Sequence, residues 1–148
     1  MAVTKSLAVE DANLAVRSLI SAREQVYSDI DLSFATKSNN DLFKKTEAAS
    51  VKQAVKTLIQ TNHGERPFNY YFGANIRALM FEPVIPSTIN KIKLSVKLAI
   101  NNFEPRAKVL DVRVLDEIDK NSVNVSVRFQ VISTGVEEEI QTSFSRLR

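Results

Sequence analysis

The stretch Asn101-Asn102-Phe103-Glu104-Pro105-Arg106-Ala107-Lys108-Val109 decides the fold, because the hydrophobic period changes across it. Upstream, Ile89, Ile92, Val96, Ala99, Ile100 and Phe103 recur at spacings of three and four, which predicts one buried stripe of a helix. Downstream, Leu110, Val112 and Val114 alternate with Asp111 and Arg113, the period of a strand with one buried face. Pro105 sharpens the change, since its ring carries no N–H to continue a helix and pushes Glu104 toward extended geometry. Residues two apart in an extended chain point the same way. Glu104 and Arg106 therefore display opposite charges side by side around a rigid proline, as a recognition surface or an internal brace.

The chain has 148 residues, one domain by length and enough to bury a core without staples. It has no cysteine, which excludes thiol catalysis, disulfides and thiolate metal sites. A net charge of +3, interspersed along the chain, is too mild a surplus to imply nucleic acid. No apolar run is long enough for a membrane span, and Glu10, Asp11, Asn13 and Arg17 interrupt any signal-peptide pattern between Lys5 and Ile20. The composition predicts a soluble protein.

Val9, Ala12, Val16, Leu19 and Arg23 fall at helical spacing over residues 6–25, with Thr4 or Ser6 as N-cap, so residues 1–26 read as a helical extension that packs lightly or awaits a partner. Next, Ile30, Leu32 and Phe34 alternate with Asp29, Asp31 and Ser33, predicting a half-buried strand over 27–34. Asp29 and Asp31 share its polar face and read as a solvated edge rather than a metal or acid–base pair, since no histidine or glycine loop completes a site. A polar turn over 36–40 and a short strand at 42–45 follow. Val51, Val55, Leu58 and Ile59 then mark the buried stripe of a helix from Glu47, with Lys52 and Lys56 on its wet face and Asn62-His63-Gly64 as its stop. His63, alone at that helix end, reads as a partner of the terminal carbonyls rather than a catalytic or metal-binding residue.

The loop Gly64-Glu65-Arg66-Pro67-Phe68-Asn69-Tyr70-Tyr71-Phe72-Gly73 carries four aromatic residues. The favoured reading has Phe68 and Phe72 plugging the core while Tyr70 or Tyr71 stays at the surface. The functional reading is a shaped contact for another protein anchored by Arg66. A short helix over 75–81, capped by Asn75, turns Ile76, Leu79 and Met80 inward before Pro83. The long helix begins near Ser87 or Thr88, its wet side basic at Lys91, Lys93 and Lys97. Beyond the elbow the chain predicts an antiparallel meander. A turn over 116–122 precedes a strand with Val123, Val125, Val127, Phe129 and Val131 on one face. Thr134-Gly135 turns the chain again, into a last strand over 136–147 with Ile140, Thr142 and Phe144 inward. Glu137-Glu138-Glu139 blunts an exposed edge, which places this strand at the border of the sheet, where another strand can add.

The fold class is thus α+β, a small mixed or antiparallel sheet of the N-terminal strand and the C-terminal meander packed on two or three helices. Glu65, Glu104, Asp29 and Asp31 are the candidate acids of a hydrolase, but each has a simpler structural task. No Ser-His-Asp set, phosphate loop or metal cluster is present, and no cofactor is expected.

Four motifs, Tyr27-Ser28-Asp29-Ile30-Asp31-Leu32-Ser33-Phe34, Gly64-Glu65-Arg66-Pro67-Phe68 with Phe72-Gly73, Phe81-Glu82-Pro83 and Phe103-Glu104-Pro105-Arg106, together resemble in order and spacing the baseplate wedge or sheath-initiator family of contractile-tailed phages. That family carries a historical lysozyme-like label and has relatives in type VI secretion baseplates. The resemblance covers residue 27 to the C-terminus, so residues 27–148 form the wedge domain, and nothing is carried over to 1–26. It implies a non-enzymatic virion protein of the tail baseplate, assembled in the host cytoplasm around the tail tube. Its implied partners are larger wedge proteins with a helical bundle, tail sheath subunits, and tube or hub proteins, with no nucleic acid or membrane. It assigns Glu104, Pro105 and Arg106 to the bundle contact; Glu65, Arg66 and Phe68, on the aromatic loop, are further partner-binding candidates. The family's likeness to the sheath subunit's interlocking domain implies strand addition along Val136, Glu138, Ile140, Thr142 and Phe144. A peptidoglycan-cleaving enzyme and a soluble adaptor are the alternatives.

Overall fold

Five apolar side chains at alternate positions, Val123, Val125, Val127, Phe129 and Val131, are all essentially buried and form the floor of the core. In the computed structural model, which describes residues 27–83, 85–117 and 121–145, they belong to β4 (Ser122–Val131), the central strand of an antiparallel sheet ordered β3-β4-β5. Its neighbours are β3 (Ala107–Glu117) and β5 (Glu137–Ser145). Preceding them are β1 (Ser28–Ile30), β2 (Lys44–Thr46), α1 (Glu47–Gln60), α2 (Ile76–Leu79) and α3 (Pro86–Phe103). The α+β class and the C-terminal meander are as the alternation predicts. The helix expected over 6–25 lies outside the described residues.

The helices cover the apolar face of the sheet. Val51, Val55, Leu58 and Ile59 of α1 meet Ile92, Val96, Ala99 and Ile100 of α3 and the inward side chains of β4 and β5, including Ile140 and Phe144, in one cluster. Each large aliphatic buried there contributes on the order of 1.5–3 kcal/mol. Lys52, on the wet side of α1, reaches Glu138 of β5 at 2.7 Å and ties the helix layer to the sheet.

The helix starts differ from expectation. α3 begins at Pro86 rather than Ser87 or Thr88, with Ile85 as N-cap, because proline's missing N–H costs nothing in the first turn. The helix expected over 75–81 is only Ile76–Leu79, and Asn75, left-handed at φ 50°, makes no side-chain cap bond. An N-cap normally has extended backbone.

Three expectations are corrected. The strand predicted over 27–34 stops at Ile30 and pairs with β2 in a two-stranded ribbon separate from the meander. Asp31 ends it: its Oδ1 accepts the Ser33 N–H at 3.1 Å, its carbonyl accepts the Phe34 N–H, and Phe34 turns to φ 53°. Aspartate closes such turns readily. Ile30, Leu32 and Phe34 are consequently exposed, not half-buried. The ribbon is anchored instead by Gln53 of α1, whose side-chain amide donates to the Ile30 carbonyl at 2.8 Å and accepts from the Leu32 N–H at 3.3 Å.

Second, Leu110 does not share the buried face with Val112 and Val114. Val109 pairs with Phe129 and Asp111 with Arg128, so Leu110 is the extra residue of a β-bulge and stands exposed. Val109 takes the inward place. Third, Phe68 does not plug the core; it is fully exposed at the tip of the 64–73 loop.

A candidate assembly interface

Glu104 and Arg106 form an internal brace. The Arg106 Nε and Nη2 groups donate to the two carboxylate oxygens of Glu104 at 2.5 and 2.7 Å, a bidentate pair. Glu104 is 6% exposed, Arg106 is half-buried and Pro105 is exposed. The Glu104 carboxylate raises the Arg106 pKa above its ordinary value, the hydrogen bonds outweighing the cost of burial. The backbone is a tight turn rather than an extended run: the Ala107 N–H donates to the Glu104 carbonyl at 3.1 Å with Pro105 in the second position, where its fixed φ fits. The Glu104 N–H closes the last turn of α3 on the Ile100 carbonyl at 2.8 Å, and the Arg106 carbonyl accepts the Ile132 N–H at 2.9 Å. Helix, elbow and sheet are thereby fixed to one another. The Arg106 guanidinium also lies over the Tyr27 ring, 5.0 Å from its centre, a cation–π contact that no local pattern signalled.

The aromatic loop is joined to this elbow. Arg66 stacks on Phe72 at 4.4 Å, and Phe72 packs against Phe103, the last residue of α3, with ring centres 5.1 Å apart. Gly73, at φ 108°, makes the return possible, because any Cβ there would collide with the Thr61 carbonyl. With Phe72 in the inner position, the tip is left to Phe68. The Asn69 N–H bonds to the Arg66 carbonyl, which closes a turn with Pro67 second and Phe68 third. At φ 63°, Phe68 occupies a place usually taken by glycine or asparagine. A bulky residue held this way stores on the order of 1–3 kcal/mol of strain. Tyr70 and Tyr71 stay at the surface in edge-to-face contact, and His63 packs near both, at 6.4 and 6.0 Å, instead of serving helix-end carbonyls.

The candidate acids are occupied. Glu65 accepts the Asn62 N–H at 3.0 Å and its side-chain amide at 2.7 Å, and these bonds lower its pKa. Asp31 is held low first by the Ser33 N–H and then by Lys45, and Asp29 turns back on the Ile30 N–H at 2.8 Å. Among the described residues no cluster could hold a metal ion, and no helix is long and apolar enough to cross a membrane.

Among the described residues β5 is hydrogen-bonded to β4 on one side only and forms a border of the sheet. Glu138, Ile140, Thr142 and Phe144 turn toward the helices, three of them buried and Glu138 bonded to Lys52. Its beginning is close to the elbow, since Val136 accepts the Val131 N–H while the next residue, Ile132, donates to Arg106. Its far end, at Phe144, pairs with Val123 at the opposite end of the sheet. The structure thus gathers Arg66, Phe72, Phe103, Glu104, Arg106, Tyr27 and the start of β5 at one end of the domain.

These features define a small α+β domain with a preformed elbow at one end. The family model described as baseplate wedge protein gp25 matches residues 45–136. The baseplate wedge protein gp25 of Enterobacteria phage T4 is 32% identical over 108 residues, covering 73% of this chain and 82% of its own. The chain belongs to the baseplate wedge protein gp25 family, a structural and non-enzymatic family of contractile-tail baseplates. Solved structures agree on the fold. A chain of the anti-feeding prophage baseplate superposes with a TM-score of 0.66 at 18% identity, covering 72% of this chain and 86% of that one. A putative tail lysozyme from Geobacter sulfurreducens gives 0.61 at 23% identity over 66% and 89%. A chain of the post-contracted pyocin R2 baseplate gives 0.53 at 18% over 81% and 99%.

Proposed function

We propose that this baseplate wedge subunit docks on a helical bundle of larger wedge proteins through Glu104-Pro105-Arg106 and templates the first tail sheath subunits along β5. Residues 27–148 are the wedge domain and residues 1–26 an extension to it. The subunit works in the virion's tail baseplate, assembled in the host cytoplasm, beside tube or hub proteins.

The observation that carries the docking reading is the preformed elbow. Two of the five N–H donors of Arg106 are spent on Glu104, which fixes the direction of the others at little ordering cost on binding. Exposed Pro105 adds a rigid apolar contact, and Arg66 and Phe68, on a loop organised by Glu65, extend the same end of the domain. For the templating reading the support is β5, a nine-residue border strand whose apolar side is already buried, so an incoming strand needs only backbone bonds and outward contacts.

Replacing both charges, Glu104→Gln with Arg106→Gln, tests the docking contact without leaving either charge buried and unpaired. The variant should fold and remain absent from purified baseplates. Normal incorporation would remove the elbow from the interface.

A further inference from the structure

A groove of about 330 Å³ runs between the outer side of α3 and β3, lined by Asn90, Lys93, Leu94, Lys97, Leu110 and Asp111 among others. It lies outside the elbow, the aromatic loop and the β5 border. Two features make its lining unlike ordinary surface. Leu94 is more than half exposed, and the β3 bulge sets exposed Leu110 on the opposite wall; Leu98, one helical turn past Leu94 and half exposed, continues the apolar strip beyond the lining. Lys93 and Lys97, also one turn apart, stand beside the leucines and have no ion-pair partner among the described residues. The one carboxylate in the lining, Asp111, is held by Arg113 at 2.9 Å, which keeps its pKa low and its charge engaged.

We infer that this groove is a second docking site, for an acidic amphipathic helix of another protein. The occupant follows from spacing and charge. Apolar and cationic rows that each repeat at four residues match the ridges of a facing helix with leucines at the same interval. Two unpaired lysines along an apolar strip call for Asp or Glu flanking those leucines. The bulge gives Leu110 its reason: without it, that side chain would not line the wall.

The full-length chain is titrated into a fluorescent 18-residue helical peptide with Leu at i and i+4 flanked by Glu, and into a twin with Lys in place of Glu. The acidic peptide should bind at least about tenfold more tightly, by anisotropy at low salt, and the preference should shrink at high salt. Lys93→Glu with Lys97→Glu should invert the preference, and Leu94→Asp should abolish binding of both. Circular dichroism confirms that each variant is folded, and Leu110→Asp serves if Leu94→Asp is not. Equal binding of the twins, no binding of the acidic peptide at millimolar concentration, or insensitivity to these substitutions overturns the proposal. So does a dimer of the protein alone that Leu94→Asp dissociates, or crosslinking of the groove to residues 1–26, since the occupant would then be this chain itself. The Glu104→Gln, Arg106→Gln variant should bind the acidic peptide unchanged, which separates this site from the elbow.

Discussion

At the scale of single residues, the Glu104–Arg106 pair explains why an elbow of opposite charges is stable inside a fold. A carboxylate 6% exposed is tolerable only because a bidentate partner replaces its lost water. Arg106→Gln alone strands that carboxylate and should cost about 2 kcal/mol, several degrees of Tm. Glu104→Gln with Arg106→Gln should cost less than Arg106→Gln, and thermal unfolding of the two variants compares them. Glu65 offers a pH readout. Its pKa is depressed by the Asn62 N–H and side-chain amide, so its contribution to the loop is present above the ordinary glutamate value of 4.5 and is lost as pH falls through the lower folded value. The Asn62 amide resonance should titrate with a midpoint below 4.5, and Glu65→Gln should abolish that titration.

At the scale of elements, β3 is the informative strand. Its alternation is regular from Val112 onward and again from Ala107 to Val109, and the two registers meet at the bulge. Deleting Leu110 should therefore leave Val109, Val112 and Val114 inward and the protein folded, with the groove's far wall removed. Deleting Val112 instead forces Asp111 toward the apolar face and should prevent folding; circular dichroism and thermal melts of the two deletions make the comparison. The same logic explains the N-terminal ribbon. Its three apolar residues alternate as a strand would, yet Asp31 and Ser33 satisfy their own backbone in a turn after Ile30. Local side-chain bonds ended a strand that periodicity alone would have continued.

For the whole molecule, the described helices cover one face of the sheet, and its border strand β5 starts beside the elbow. A subunit fixed to the wedge at that end would hold β5 in a defined direction for a sheath subunit. On this reading, adding sheath subunits to the isolated protein should slow hydrogen exchange across residues 137–145 while leaving β4, already paired on both sides, unchanged. Protection elsewhere, with none on β5, would point to a different contact for the sheath.

By itself the sequence determined what depends on local backbone geometry. The period-two run of β4, the four-residue stripes of α1 and α3, the stop at Pro105 and the turn at Gly135 all follow from side-chain direction and φ limits within a few residues. The family motifs were also legible, since they are local strings. Tertiary structure decided everything that depends on a neighbour far along the chain. Leu110 faces outward because β3 must keep register with β4; Phe68 is at the surface because Phe72 already fills the place against Phe103. Glu104 is buried and paired with Arg106 because their turn is held between α3, through the Ile100 carbonyl, and Ile132, which donates to the Arg106 carbonyl. Periodicity names a face of an element, but only packing settles what covers that face, because burial is a property of pairs of elements rather than of either one.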